Sequence, residues 1–224
     1  MFSRIVEPEL MLTSEQVDAY ASIDFTESHG RLISQITECF PGFDFNGTVL
    51  NLGCGTGDDS FRFLNQFPLS RILGIDGSAP MIARAKHDLA LRHSHLSDRI
   101  SFVEAYIPSH EIPLQPYVGI VSNSLLHHMH APDALWSTVR THAKSGTAIF
   151  IADLRRPGEI ADAAAIVDRY APDAPQAFRI DFYNSLCAAL TVEEVRLQLI
   201  KADLHELTVS EIGDRHMITF GIRR

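Results

Sequence analysis

Short apolar runs alternate along most of the chain with longer stretches in which apolar residues recur at helical spacing. The runs predict strands at residues 48–52, 71–75, 100–103, 117–121 and 147–151. The longer stretches predict helices near 13–40, at 79–91 and at 132–143, and a further helix that ends near 67. Runs that are apolar throughout are typical of parallel strands covered on both faces. Strands that alternate with helices therefore predict right-handed crossovers and a doubly wound sheet.

The last third of the chain has a different pattern. Residues 157–190 have a helical pattern throughout, with interruptions at Pro172 and Pro175. Thr191 and Glu194 have the spacing of a capping box that opens a helix to about Leu204, and strands follow near 207–210 and 217–222. The predicted fold is α/β: a Rossmann-like, doubly wound, seven-stranded sheet, mostly parallel with an antiparallel last strand, and with a helical cap.

A single domain over residues 1–224 accommodates these elements. Residues 1–45 form a predicted N-terminal helical cap, in which a capping box begins at Thr13 and Gly30 divides the helical stretch in two. The ligand-binding core covers 46–156, a helical insertion covers 157–190, and the terminal helix with the last two strands covers 191–224. The insertion is placed to act as a substrate lid, and an extra structural helix pair explains it equally well.

Composition excludes several classes of protein. The chain has 224 residues and a net charge of −9, and no Lys/Arg run marks a basic patch, so no nucleic acid partner is expected. No apolar stretch is long enough for a membrane span, and Glu7 and Glu9 stand where a signal peptide needs apolar residues, so we expect a cytoplasmic protein without membrane contact. Three widely spaced cysteines indicate neither a disulfide framework nor a zinc motif. The oligomeric state is open.

The strongest chemical signal is a glycine loop between the first predicted strand and its helix. Gly53, Gly55 and Gly57 allow a tight turn and a close approach of the backbone to a ligand. The spacing is GxGxG rather than the GxGxxG of dinucleotide sites, and Asp58 would be a poor neighbour for a pyrophosphate. Asp76 ends the second strand, where an acid would accept hydrogen bonds from both ribose hydroxyls, or would serve only as a turn or helix cap.

These motifs resemble those of the class I S-adenosylmethionine (SAM)-dependent methyltransferases. VLNLGCGTG is similar to their glycine motif, and LGIDGSAPMIARAK is similar to their acidic motif on the second strand. VSNSLLHHM, followed by PDALWSTVRTHAKSGTAIFIADLRRP, resembles the segment from the fourth strand to the fifth. The resemblance covers about residues 45–156 and implies SAM as cofactor; the substrate is not implied.

The resemblance also implies a role for each matching position. The glycine loop, including Cys54, would lie under the methionine and ribose parts of SAM, and Asp76 would hold the ribose hydroxyls. The remaining cofactor positions would be Tyr20 and Asn51 near the methionine part, Gly77, Met81, Ala105 and Tyr106 near the adenine, and Asn123 and Ser124 beside the sulfonium. Two positions depart from the family pattern, because Asn51 and Tyr106 stand where acids are common.

Histidines follow the fourth strand as a cluster, at residues 127, 128 and 130. Adjacent histidines on one loop seldom face one ion, and no carboxylate lies nearby at helical spacing, so no metal site is predicted. His127 and His128 are instead candidates for one structural histidine and one general base. Tyr183 is a further catalytic candidate.

Arg155 and Arg156 follow the fifth strand, at the carboxyl edge where ligands bind in open α/β sheets. Either arginine would clamp an anionic substrate, or both would form salt bridges with acids such as Glu159 or Asp162. Asn184 and His216 are additional candidates for substrate contacts.

The predicted function is a SAM-dependent methyltransferase that acts on an O, N or S nucleophile of a small molecule, and the arginine pair suggests an anionic one. Two alternatives stay open: a SAM-using cyclase or lyase that transfers no methyl group, and a SAM-binding regulatory module without catalysis.

Overall fold

The computed structural model describes residues 2–23 and 25–224 and contains a seven-stranded sheet in the order β3-β2-β1-β4-β5-β7-β6. The first five strands are parallel, and β7 runs antiparallel to both β5 and β6. This topology confirms the predicted mixed, doubly wound sheet. The strands are β1 Gly47–Leu52, β2 Ser70–Asp76, β3 Ile100–Glu104, β4 Gly119–Asn123, β5 Ala148–Leu154, β6 Thr208–Ile212 and β7 His216–Ile222.

Helices cover both faces of the sheet. Successive strand residues point to opposite faces, so Val49 contributes to one apolar core, with α2, α3 and α4, while Leu50 contributes to the other, with α5 and α8. A third, smaller apolar cluster lies between α6 and α7. The helices are α1 Ser14–Ala21, α2 Thr26–Cys39, α3 Asp58–Gln66, α4 Ala79–Arg92, α5 Asp133–His142, α6 Ile160–Tyr170, α7 Gln176–Ala188 and α8 Val192–Lys201, with a short 3₁₀ turn at Ser94–Leu96.

Local sequence signals placed several helix ends correctly. Thr13 and Gln16 form the predicted capping interaction before α1, and Thr191 and Glu194 form a capping box at α8. Pro172 and Pro175, which were expected to interrupt the helical pattern, lie in the connection between α6 and α7. Of the helices in the described chain, none is long and apolar enough to cross a membrane.

Two boundaries were wrong. Gly30 does not divide the N-terminal helices; it lies inside α2, and the break falls between α1 and α2 instead. A glycine inside a helix costs about 1 kcal/mol, which the burial of Leu32 and Ile36 on the same helix outweighs. The fourth strand begins at Gly119 rather than at residue 117, where its pairing with β1 begins at Val49.

The N-terminal segment, residues 2–12, runs across the carboxyl end of the sheet, and we call it the N-terminal strap. The amide of Ile5 donates to the carbonyl of Cys187 on α7 at 3.1 Å. Farther along, the hydroxyl of Ser78, which caps α4, donates to the carbonyl of Met11. The strap therefore passes over the carboxyl ends of β1 and β4, where the chain continues from the two strands toward opposite faces of the sheet. This is the usual place for a ligand in an open α/β sheet.

Candidate active site

The glycine loop turns sharply off β1 in backbone conformations that favour glycine. Gly53, Gly55 and Gly57 have φ angles of 71°, 51° and 83°. A Cβ atom at Gly57 would lie 2.7 Å from the ring of Phe102, whereas one at Gly55 would meet no atom within 4 Å. The loop thus packs against Phe102 of the core at Gly57. At Gly55 the backbone is open, which leaves room for a ligand to lie against it. Cys54 is buried beneath the loop, so its side chain is turned away from that space.

Asp76 joins the glycine loop to the start of α4. Its carboxylate accepts hydrogen bonds from the amide of Gly55 at 2.9 Å and from the amide of Ser78 at 2.8 Å. Burial raises the pKa of Asp76 above its usual value, against the effect of these two amides. The helix is capped by Ser78, so Asp76 is left to shape the loop and to face the crevice.

Two acids at the start of α3 form a buried polar group with a histidine of α2. His29 Nδ1 lies 2.6 Å from Asp58 Oδ2 and 3.1 Å from Asp59 Oδ1. Burial works to lower the pKa of His29, but the hydrogen bond to Asp58 and the charge of Asp59 raise it overall. Although burial opposes it, hydrogen bonds from His29 and Arg62 lower the pKa of Asp58 to about 2.

Asp59 supplies the acid that position 51 lacks. Asn51 is buried and donates to the hydroxyl of Ser60 at 2.9 Å. Asn123, at the end of β4, donates to Asp59 Oδ2 at 2.8 Å, while Asp59 Oδ1 is buried and accepts no hydrogen bond from the described residues. Ser124 follows with a φ of 56°, a strained conformation that clusters at functional sites. The departure at Asn51 therefore leaves the crevice acidic.

Aromatic side chains cover this end of the crevice. Tyr20 of α1 packs against Phe25 with ring centroids 4.8 Å apart, and Phe25 stacks on His29 at 5.0 Å. Phe178 of α7 approaches Phe25 at 6.2 Å. Burial, together with the charges of Asp59, Asp58 and Asp76, raises the pKa of Tyr20 well above its ordinary value. The predicted contact of Tyr20 with a ligand here stays a prediction.

The opposite wall lies along β2 and β3. A Cβ atom at Gly77 would lie 3.2 Å from Leu10 of the strap and 3.4 Å from the ring of Tyr106. The amide of Ala105 donates a hydrogen bond to the carbonyl of Asp76 at 3.0 Å. Met81 is buried at the start of α4. These residues thus lie at the carboxyl ends of β2 and β3, and their contact with an adenine stays a prediction.

A second polar cluster lies beside the crevice, after β4. His127 is buried, and its Nδ1 lies 2.6 Å from Asp153 Oδ1 on β5. The other oxygen of Asp153 accepts a hydrogen bond from the amide of Leu126 at 2.7 Å. Burial works to lower the pKa of His127, but Asp153 and Glu7 raise it overall. Asp153 therefore orients His127 with its Nε2 facing outward.

Glu7 of the strap lies where the outward-facing nitrogens of the two histidines converge. Its Oε1 is 3.2 Å from His128 Nδ1 and 3.7 Å from His127 Nε2. The hydroxyl of Ser185 on α7 donates to the same oxygen at 3.0 Å. Burial raises the pKa of Glu7 and lowers the pKa of His128 to about 3, so His128 is neutral at pH 7. Glu7 supplies a carboxylate that helical spacing does not predict, because it comes from a distant part of the chain.

Arg4 ties the strap to the same loop. Its guanidinium donates to the carbonyl of Ala188 and to the carbonyls of His127 and Met129, at 2.8 and 2.9 Å. Each contact uses a backbone acceptor, so the strap is anchored on both sides of the histidine cluster.

The two arginines after β5 have acidic partners. Arg156 is buried, lies 2.7 Å from Glu194 and donates to the carbonyl of Ala189 at 3.0 Å. Arg155 lies 3.6 Å from Glu211. The salt-bridge alternative is therefore what the geometry favours, although the expected partners were wrong: Glu159 and Asp162 form the capping box of α6 instead. The substrate clamp stays an untested prediction with weaker geometric support.

The remaining candidates do not meet at one point. Tyr183 packs against the small cluster between α6 and α7, close to the thiol of Cys187, and Asn184 is exposed. His216 pairs in register with Leu154, and burial, with the nearby Arg215, lowers its pKa to about 4. Leu154 and His216 face the side of the sheet that α2 covers, whereas Asp153 and His127 face the other side, so His216 lies apart from the histidine cluster, and Tyr183 and Asn184 lie on α7.

The comparisons with known proteins agree with this geometry. Residues 50–149 match a family described as a methyltransferase domain. Trans-aconitate 2-methyltransferase of Deinococcus radiodurans is 46% identical over 37 residues, covering 16% of this chain and 14% of the relative. Malonyl-[acyl-carrier protein] O-methyltransferase of Priestia megaterium is 33% identical over 107 residues, covering 48% of this chain and 35% of the relative. The chain thus matches well under two thirds of the length of either relative.

Solved structures extend the likeness to nearly the whole chain. The plantazolicin methyltransferase BpumL, in complex with S-adenosylhomocysteine (SAH), has a TM-score of 0.70 at 16% identity, covering 94% of this chain and 91% of its own. A SAM-dependent methyltransferase from Aquifex aeolicus has a TM-score of 0.66 at 13% identity, covering 95% and 99%. Residues 50–149 of this chain therefore resemble a methyltransferase domain, and the chain has the same fold as these solved SAM-dependent methyltransferases.

Proposed function

We propose that this protein binds SAM in the crevice above the glycine loop and transfers its methyl group to an oxygen of a small acid. The observation that carries the proposal is the pairing of Asp76 with the Gly55 amide, at the carboxyl ends of the neighbouring strands β2 and β1. This arrangement leaves a carboxylate and an open backbone surface on the same side of the loop.

Two features of the crevice suit SAM. The space above Gly55 admits a ligand in contact with the backbone. Asp59 Oδ1 is buried and has an ion-pair contact with His29 at 3.1 Å, but it accepts no hydrogen bond from the described residues, so it can still accept one from a ligand. The ammonium group of a methionine moiety would donate that hydrogen bond. A pyrophosphate would be repelled by the acids at residues 58 and 59, which disfavours NAD.

The protein's part in the reaction is mostly alignment. Bound SAM supplies a sulfonium that is already a good leaving group, so the acceptor oxygen need only lie in line with the methyl carbon and the sulfur. Tyr20 and Phe25 narrow the crevice on one side, and the loop after β4 borders it on the other. These groups exclude water and restrict the directions from which an acceptor approaches.

The acceptor is proposed to be a carboxylate. The two relatives above are named for trans-aconitate and for a malonyl group, and both names describe carboxylic acids. A carboxylate is ionised at neutral pH, so this reaction needs no general base. The base role predicted for His127 or His128 is then required only for a hydroxyl or amine acceptor.

Product analysis tests the proposal. The purified chain is incubated with SAM and a panel of di- and tricarboxylic acids, and the products are identified by mass spectrometry. We expect SAH and a methyl ester in equal amounts, and neither without the acid. Formation of methylthioadenosine would indicate a lyase or cyclase instead, and bound SAM without any turnover would indicate a regulatory module.

A further inference from the structure

Glu7, His127 and His128 bring three metal-ligating atoms together from two distant segments. The atoms all lie within 4.8 Å of one another, and Glu7 Oε1 is 3.2 Å from His128 Nδ1 and 3.7 Å from His127 Nε2. Ligands about 2.0–2.2 Å from a tetrahedral zinc ion are themselves about 3.4 Å apart. We propose that these three residues bind a divalent transition-metal ion of the Zn²⁺ type.

The orientation of His128 supports an ion rather than a hydrogen bond. Its ring makes a hydrogen bond with the backbone of Pro8, and Nδ1 is the ring nitrogen that is left without one in the described chain. Nδ1 is buried and has no hydrogen-bond partner among residues 2–23 and 25–224, although Glu7 Oε1 is close. Two acceptors that face one another inside a protein are unfavourable unless a proton or a metal ion lies between them, and a bound metal ion would remove this cost.

His127 is held as metal-binding histidines usually are. Its Nδ1–H donates to Asp153, so Nε2 faces Glu7 and His128. A carboxylate on the far nitrogen of a ligating histidine orients the ring and raises its basicity. Glu7 has an equivalent support, because the hydroxyl of Ser185 donates to its carboxylate at 3.0 Å. Each of these two ligands thus has a hydrogen bond that fixes its direction.

The donor set indicates the class of ion. Two imidazoles and one carboxylate suit Zn²⁺ and its neighbours better than Mg²⁺ or Ca²⁺, which prefer oxygen ligands. Three protein ligands leave a fourth position for water or for an oxygen of the acceptor. Coordination of the acceptor rests on the proposed function, whereas binding of the ion does not.

A second group of possible ligands, His29 with Asp58 and Asp59, is a weaker candidate. His29 Nδ1 already donates to Asp58 at 2.6 Å, so this nitrogen has no lone pair to offer. The first group is therefore the one to test.

The test is a calorimetric titration of the chelator-treated full chain with Zn²⁺, and with Co²⁺ followed by its visible absorption. We expect one ion per chain, with a dissociation constant that is micromolar or tighter, and the intense bands of tetrahedral Co²⁺. Glu7→Gln and His128→Gln should each weaken binding at least about tenfold, and Asp153→Asn about 10–100-fold. Matched controls are Glu111→Gln and His110→Gln, exposed residues of the connection between β3 and β4, which should bind as the wild type does.

Absence of binding by the wild-type chain would overturn the proposal, and so would equal binding by Glu7→Gln and His128→Gln. Circular dichroism of each variant shows whether weaker binding reflects loss of the fold, and the wild-type titration decides the question without any variant. SAH binding is measured on the same samples. A chain that binds SAH but no Zn²⁺ would contradict the metal site and leave the proposed function intact.

Discussion

Asp76 and Gly55 lie 21 residues apart in sequence and are joined by a hydrogen bond of 2.9 Å from the Gly55 amide to the Asp76 carboxylate. The same carboxylate accepts a hydrogen bond from the amide of Ser78 at 2.8 Å. One side chain thus sets the shape of the glycine loop and the start of α4 together. An acid in this position has both a structural role in the loop and a proposed ligand role in the crevice.

Asp76→Ala should weaken SAH binding by about 10–150-fold, the effect of losing charge-assisted hydrogen bonds worth about 1.5–3 kcal/mol. The loop amide also loses its acceptor, so a small fall in melting temperature is expected. Calorimetry with SAH measures the first effect. Asp98→Ala, at the amino end of β3, is the matched control and should bind SAH normally. Unchanged affinity in Asp76→Ala would refute the placement of the ligand.

Alanine at Gly55 and at Gly57 should have different consequences. Both residues have a left-handed backbone conformation, which an alanine adopts at a cost of about 1–2 kcal/mol. At Gly57 the new Cβ also clashes with Phe102 at 2.7 Å, which adds about 1–3 kcal/mol of overpacking. Gly57→Ala should therefore unfold at the lower temperature, whereas Gly55→Ala should keep more of its stability and lose SAH affinity. The reverse order of melting temperatures would contradict this account of the loop.

Arg156→Lys should lower stability rather than change ligand binding. The arginine reaches both Glu194 and the carbonyl of Ala189, and a lysine cannot reproduce that fork. We expect a loss of about 1.5–3 kcal/mol of unfolding free energy, with SAH affinity and the KM for an acid acceptor unchanged. Urea unfolding and steady-state kinetics measure the two. A raised KM at normal stability would restore the substrate clamp.

His29 should make the chain more stable at mildly acidic pH. Its pKa is raised in the folded protein, so its contribution is complete below the unfolded value of about 6.5 and is lost as the pH rises through the folded value. The difference in unfolding free energy between the wild type and His29→Gln should therefore shrink from about pH 6 to about pH 9. A difference that grows with pH would show that His29 is held neutral.

Local signals predicted much of the fold and the position of the glycine loop at the end of β1. The apolar runs, the glycine loop and the capping box at Thr191 depend on neighbours in sequence, and the structure confirms all of them. The backbone conformation at Gly53 and the position of Asp76 at a strand end follow from the same kind of signal.

The contacts that sequence reasoning missed join distant segments. Glu7 meets His128 across 121 residues, and His29 meets Asp58 across 29. No periodicity or motif places the N-terminal strap on the loop after β4, and the partners of Arg156 were missed for the same reason. A useful signal was present at Asp58 and Asp59, although the sequence argument used only the charge of Asp58, as an argument against a pyrophosphate.

The claim on which the rest depends is that the crevice above the glycine loop binds SAM. Calorimetric titration of the wild-type chain with SAH, and separately with NAD, tests it most directly. We expect SAH to bind once per chain in the micromolar range, about −8 kcal/mol, and NAD to give no heat of binding. Binding of NAD without binding of SAH would contradict the account.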